Sequence, residues 1–149
     1  MHIRNLRRFL AAGAAALLLI AVARAADWTE DYPAAAAKAK QEHKLLLLDF
    51  TGSDWCIWCK RLHDEVFDTQ KFKDFADKKL VLVTVDFPNA KVQSEALKAQ
   101  NKSLAAKYSV EAPPTLIILD PDEQFVFKQE GYLEGGPDAL IALFPKDRK

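Results

Sequence analysis

Cys56 and Cys59 are the only cysteines in the 149-residue chain, and they stand two residues apart as Cys-Ile-Trp-Cys. A disulfide used as a staple stabilises by closing a long loop of the unfolded chain, and a bridge over two residues closes almost none. A dithiol at this spacing suits exchange chemistry instead. One thiolate attacks a disulfide, and the second lies near enough to resolve the mixed disulfide that forms. His63 follows Cys59 by four positions, giving Cys-x-x-Cys-x-x-x-His. Two readings of it stand side by side: a solvent-facing helix histidine, or a zinc or copper ligand with Cys56 and Cys59, a water or His43 completing the set. Covalent haem is excluded, because Lys60 rather than a histidine follows the second cysteine. Lys60 and Arg61 either add positive potential near a thiolate or form a solvated face.

The elements around the pair must place it. Residues 44–51 read Lys-Leu-Leu-Leu-Leu-Asp-Phe-Thr, an apolar run of strand length, and Gly52-Ser53-Asp54 forms a loop. From Cys56 a helical pattern follows, with Cys59, Leu62 and Val66 at spacings of three and four. The dithiol therefore stands at a helix N-terminus, where free N–H groups and the dipole favour the Cys56 thiolate. Cys59, nearly a turn further in, is the more shielded, resolving thiol. Elsewhere the chain keeps an α/β rhythm. The pattern predicts a helix over 34–43, a break at 67–69 with Asp68 or Thr69 capping a second segment through Phe75, and a strand over 80–86. It then predicts a helix over 91–108, strands over 115–120 and 125–129, a loop over 131–136 and a closing helix over 138–144. There is no internal repeat.

Composition narrows the class. Half of the residues are hydrophobic, and three Trp and nine Phe exclude a disordered chain. The formal charge of zero hides an asymmetry: Arg4, Arg7, Arg8 and Arg24 occupy the first 25 positions with no acid among them. Residues 26–149 hold 17 basic against 21 acidic residues, a net charge of −4, which argues against nucleic acid or an anionic membrane as the main partner. A basic leader, the apolar stretch 9–23 and Ala23-Arg24-Ala25 form an export signal with a small-x-small cleavage site. The stretch is shorter than the roughly 20 residues of a membrane span; an uncleaved signal anchor is the other reading. The expected organisation is a signal peptide over 1–25 and one domain over 26–149, placed in the periplasm or secreted.

The strand ending Leu48-Asp49-Phe50, then Trp55-Cys56-x-x-Cys59-Lys60, then Ala105-Ala106-Lys107-Tyr108-x-Val110 leading to Pro114-Thr115, resembles thioredoxin. The resemblance runs from about Asp27 to the C-terminus. It is closest to exported bacterial thioredoxin-like proteins, including the C-terminal domain of periplasmic disulfide-interchange reductases. It implies an α/β thioredoxin fold, a central mixed sheet with helices on both faces. It implies Cys56 as the attacking cysteine, Cys59 as the resolving one, and Asp49 as the buried carboxylate that exchanges a proton with the resolving thiol. An acid on an apolar strand has a raised pKa, which suits that transfer. Pro114 matches the family's cis-proline, and Trp55, Trp58, Pro113, Pro114 and Thr115 fall at the substrate groove.

Four departures stand out. Asp49 is seven residues before Cys56, one more than usual. Leu82 stands where thioredoxins often place a lysine beside the acid. Pro113, before the cis-proline, has no N–H to offer a substrate strand. Trp58 replaces a small or polar residue, as a contact surface or through local packing. The Ile57-Trp58 pair also lacks the histidine of strongly oxidising dithiols, so the potential should lean reducing. The expected activity is thiol–disulfide exchange on protein thiols and disulfides, with no metal and no cofactor other than the dithiol. The protein would act as a monomer and draw on a membrane disulfide-interchange donor. The alternatives are a binding or folding-assistance module with an incidental dithiol, and a Cys/His metal carrier.

Overall fold

The computed structural model describes residues 26–145. The expected signal peptide lies outside the described residues. Strand β1 is Trp28–Thr29, helix α1 Tyr32–Glu42, and strand β2 Leu45–Thr51. Helix α2 (Ile57–Leu62) runs into a π-helical turn at His63–Phe67, then α3 (Gln70–Lys79) leads to β3 (Leu80–Asp86). Helix α4 is Glu95–Lys107, β4 Thr115–Leu119, β5 Phe125–Glu130 and α5 Gly136–Leu143. The five strands form one sheet in the order β1-β3-β2-β4-β5. β3 runs parallel to β1 and β2, while β4 is antiparallel to both β2 and β5. This is the mixed, helix-flanked α/β sheet expected from the sequence.

β2 is central and covered on both faces, which is why it reads as a nearly unbroken leucine run. Leu46, Leu48 and Phe50 pack with Val81, Val83, Val85, Ala35, Ala39 and Leu104 on the α1 and α4 side. Leu47 faces Leu62, Val66, Phe72, Leu82 and Leu140 on the side of α2, α3 and α5. By the period of two, Asp49 belongs to that second face, in a place where a leucine would otherwise stand.

Several boundaries differ from expectation, each for a local reason. α1 starts earlier, at Tyr32, because Asp31 caps it by accepting the Ala34 N–H at 3.0 Å, with Pro33 in the first turn. It ends at Glu42, with His43 left-handed. α4 starts at Glu95 behind the Ser94 cap rather than at Lys91, because the Asp54 carboxylate accepts the N–H groups of Asn89, Ala90 and Lys91 and holds them in a loop. α5 opens at Gly136, after a left-handed Gly135 and with Pro137 in its first turn. β1 carried no sequence signal, two residues being too few to show a period; it pairs Trp28 with Leu82. The helix after Cys56 widens into the π turn before the expected break.

Of the two proposed caps at that break, Thr69 is the one used. Its hydroxyl accepts the Phe72 N–H at 3.3 Å and donates to the Val66 carbonyl at 2.6 Å, so it ties α3 to the π turn. α3 then continues past Phe75 to Lys79. Thr69→Ala is expected to cost about 1 kcal/mol, which thermal denaturation would read as a fall of roughly 3–5 °C.

Candidate functional site

The C-terminal end of β2 delivers the chain into a loop over 52–55, and that loop is fastened to the end of β3. The Ser53 N–H and hydroxyl both donate to the buried Asp86 carboxylate, at 2.9 and 2.6 Å. The Trp55 indole N–H donates to the Phe87 carbonyl at 2.8 Å, and the Phe87 N–H to the Thr51 carbonyl at 2.9 Å. Asp54 reaches across to residues 89–91, and the N–H groups of Asn89 and Ala90 hold its carboxyl below the usual carboxylate range. Gln93 and Asn101 donate to the Asp86 carbonyl from the far side. The extra residue between Asp49 and Cys56 is thus absorbed in a braced loop. Gly52 is required there: a Cβ on it would lie 2.4 Å from the Trp55 ring.

Cys56 is the N-cap of α2, its N–H donating to the Gly52 carbonyl at 2.8 Å. Its Sγ accepts the Cys59 N–H at 3.2 Å, a bond that favours negative charge on the sulfur once the disulfide is reduced. Cys56 and Cys59 are joined, their Cα atoms 5.3 Å apart. Both are buried, with Cys56 the more open at 6 % exposure against 2 % for Cys59. Around them stands an exposed apolar rim of Trp55, Ile57 and Trp58.

Trp58 is held from behind. The Trp58 and Tyr132 rings pack on each other with centroids 5.6 Å apart, and the Arg61 guanidinium lies against both, 5.6 and 4.9 Å from their centroids. Glu65 accepts hydrogen bonds from Arg61 Nε at 2.7 Å and from the Tyr132 hydroxyl. Tyr132, on the loop after β5, had no role in the sequence reading; the i, i+4 spacing of Arg61 and Glu65 was the visible half of this cluster.

The Pro113–Pro114 bond is cis, with Pro114 buried at the start of β4. The Pro114 carbonyl accepts the Gly131 N–H at 2.8 Å, and the buried Thr115 hydroxyl donates to the Ala112 carbonyl at 2.7 Å. Because β4 is antiparallel to β2 and Thr115 pairs with Phe50, this segment sits at the same end of the sheet as the dithiol.

Asp49 is 1 % exposed, and β3 supplies it no cation: its register neighbour is Thr84, and Leu82 lies two pairs back, opposite Leu47. Its partner comes from the helix. His63 Nε2 and Asp49 Oδ2 share a hydrogen bond at 3.2 Å, while Oδ1 has no hydrogen-bond partner among the described residues. The His63 ring also packs on Trp28 and Phe67, at centroid distances of 5.7 and 4.9 Å. His63 is therefore not a freely solvated histidine; the only signal for its position was the four-residue step from Cys59. Burial pushes the Asp49 carboxyl above its usual range, the His63 bond and charge pull it partly back, and Asp86 adds to the rise. Burial pulls His63 down, but the bond and charge of Asp49, with Asp68 and Asp64, more than offset this and leave it above its ordinary value.

The metal reading does not assemble. The two sulfurs are bonded to each other, and His63 is engaged by Asp49. His43 precedes β2 while Cys56 follows its far end, a separation of roughly 20 Å along the strand. Among the described residues no cluster of three His, Cys, Asp or Glu side chains could hold a metal ion. The redox group is the cysteine pair itself.

The sequence model of the thioredoxin-like domain family matches residues 32–146. The disulfide bond reductase DsbH of Chlamydia pneumoniae is 37% identical over 113 residues, which cover 76% of this chain and 68% of that protein. A solved structure of a DsbH oxidoreductase matches with a TM-score of 0.73 and 32% identity, over 95% of this chain and 90% of its own. The reduced C-terminal domain of Neisseria meningitidis DsbD shares the fold, with a TM-score of 0.54 and 23% identity over 74% of this chain and 88% of its own.

Asp49 and His63 both bind protons more tightly in the folded protein than in the unfolded one, so stability falls as pH rises. The Asp49 share is lost from its ordinary value of 3.8 upward through its raised value, and the His63 share from 6.5 upward. Asp49→Asn is expected to raise the melting temperature of the oxidised protein at pH 8, with no gain at pH 3. Melting curves from pH 3 to 9 would show the difference, and parallel wild-type and variant curves would contradict it.

Proposed function

This chain belongs to the thioredoxin-like family of thiol–disulfide oxidoreductases, and from that premise we propose that it works outside the cytoplasm as a reductase of protein disulfides. The observation that carries this reading is the Cys56–Cys59 disulfide seated at the N-cap of α2, at the sheet end shared with the cis bond before Pro114. In the reduced state the Cys56 thiolate attacks a substrate disulfide, and the Cys59 N–H that points at its sulfur stabilises the charge. The mixed disulfide is resolved by Cys59, whose proton passes to Asp49. The two electrons leave with the substrate thiols. A reductant of this kind must be recharged, and a membrane disulfide-interchange protein is the donor that fits its compartment.

Residues 1–25 act as a cleavable signal peptide, and residues 26–149 form the single mature domain. It works as a monomer, a reading supported by a site that is complete within one chain: both cysteines, the acid and the cis bond. The rim of Trp55 and Trp58, with Pro113, Pro114 and Thr115, receives the substrate chain. The name of the Chlamydia pneumoniae relative and the absence of a histidine between the cysteines both support the reducing direction.

On the protein lacking residues 1–25, equilibration with glutathione is expected to give a potential near about −270 mV, whereas about −120 to −180 mV would make it an oxidase or isomerase. Cys56→Ser is expected to abolish reduction of protein disulfides, and Cys59→Ser to accumulate a mixed disulfide visible by mass spectrometry. Full activity in the double serine variant would instead establish the binding-module reading.

Pro113 leaves the substrate strand one donor short. Pro113→Ala restores that N–H, worth about 0.5–1.5 kcal/mol. A fall in KM for a disulfide-containing peptide of roughly two- to tenfold is expected, and an unchanged KM would show that the substrate does not pair with this backbone.

A further inference from the structure

The sequence offered Asp49 no cationic neighbour, yet the structure gives it one from an unexpected direction. His63 is one helical turn beyond Cys59, and its backbone N–H bonds to the Cys59 carbonyl. Its ring turns inward to Asp49 Oδ2 while 36% of the side chain remains exposed, against 1% for Asp49. The buried carboxyl therefore has one oxygen held by a group that reaches solvent and one oxygen, Oδ1, with no hydrogen bond among the described residues.

We propose that His63 is a positioning residue for the resolving step: it fixes the Asp49 carboxyl beneath the dithiol and connects that buried acid to solvent for proton exchange. The proposal rests on the exchange reading above. In the step itself the Cys59 sulfur attacks Cys56 Sγ of the mixed disulfide. The Cys56–substrate S–S bond breaks, the Cys56–Cys59 bond forms, and the electron pair leaves on the substrate sulfur, which takes a proton from solvent. The Cys59 thiol proton goes to Asp49, and Asp49 returns it to water by way of His63.

The surroundings suit a proton-exchanging pair. β1 contributes Trp28, an uncharged wall that covers the ring. From its own turn His63 meets Phe67, and the charges of Asp64 and Asp68 favour the imidazolium. Across the sheet β4 places Leu116 opposite Asp49, β3 places Thr84, and Asp86 at the end of β3 supplies the one other charge acting on the acid. Imidazolium at His63 favours ionised Asp49, the form that accepts the thiol proton.

The test is stopped-flow reaction of the reduced full chain with oxidised glutathione between pH 5 and 9, followed by the fluorescence of Trp55 and Trp58. Attack by Cys56 depends on glutathione concentration; resolution by Cys59 does not. His63→Gln keeps a hydrogen bond within reach of Oδ2 but carries no charge. It is expected to slow resolution about tenfold at pH 7 and raise the midpoint of its pH profile by about one unit, with attack within about twofold of wild type. His63→Lys restores a cation and is expected to recover most of the rate; melting curves confirm that both variants fold. An unchanged resolution profile in His63→Gln, or equal slowing of attack and resolution, overturns the proposal alone. A wild-type protein that does not react with glutathione disulfide overturns the exchange reading and the proposal with it.

Discussion

β2 lies at the centre of the sheet with helices over both faces, so every polar group at its C-terminal end has to be satisfied by the chain itself. Asp49 meets this demand with one oxygen on His63 and one left open. Asp86, at the matching end of β3, meets it with the Ser53 N–H and hydroxyl. The two buried acids divide the work. Asp86 is fully engaged and locks the loop that carries the cysteines, whereas Asp49 is incompletely satisfied and so remains available for chemistry. A buried carboxyl with an unfilled acceptor is costly in a purely structural role, and a perturbed buried acid beside a cysteine pair is what a proton-exchanging site would need.

The loop over 52–55 shows how the longer connection is tolerated. One added residue between a strand acid and the cysteine pair that follows it would ordinarily loosen their relation. Here Ser53, Asp54 and Trp55 each bond to the segment 86–91, and the Trp55 ring lies against Gly52. The added length becomes a second set of fastenings between β2 and β3. The same bonds hold 89–91 out of α4, so the loop that carries the dithiol and the start of the next helix are set together.

Much of the architecture was legible in the sequence because it rests on local periodicity. The leucine run 45–48 and the alternation through Leu80–Asp86 gave strands whose limits the structure reproduces to within a residue. Cys59, Leu62 and Val66 gave the buried face of the helix after the dithiol, and all three are buried. The errors fell where a distant group competes with local propensity. Asp54 truncated α4 from 35 residues away in sequence, and β1 exists only because Trp28 finds Leu82. The widening of the helix at His63–Phe67 also has no marker in the residues, since the same pattern satisfies an α-helix.

By itself the sequence determined the chemistry available: two thiols at exchange spacing, an acid in an apolar strand, a proline before Pro114 that cannot donate, and tryptophans on either side of the nucleophile. These follow from residue types and short spacings, and the chain carries them whatever its fold. The tertiary structure decided which groups meet. It turned His63 from a residue of the helix surface into the partner of Asp49, placed Tyr132 against Trp58 and Arg61, and put Asp86 under the cysteine loop. None of these pairs is close in sequence. The His63–Asp49 and Ser53–Asp86 pairs exist because the buried ends of β2 and β3 force their few polar groups to find partners, whereas Tyr132 meets Trp58 and Arg61 at the exposed rim.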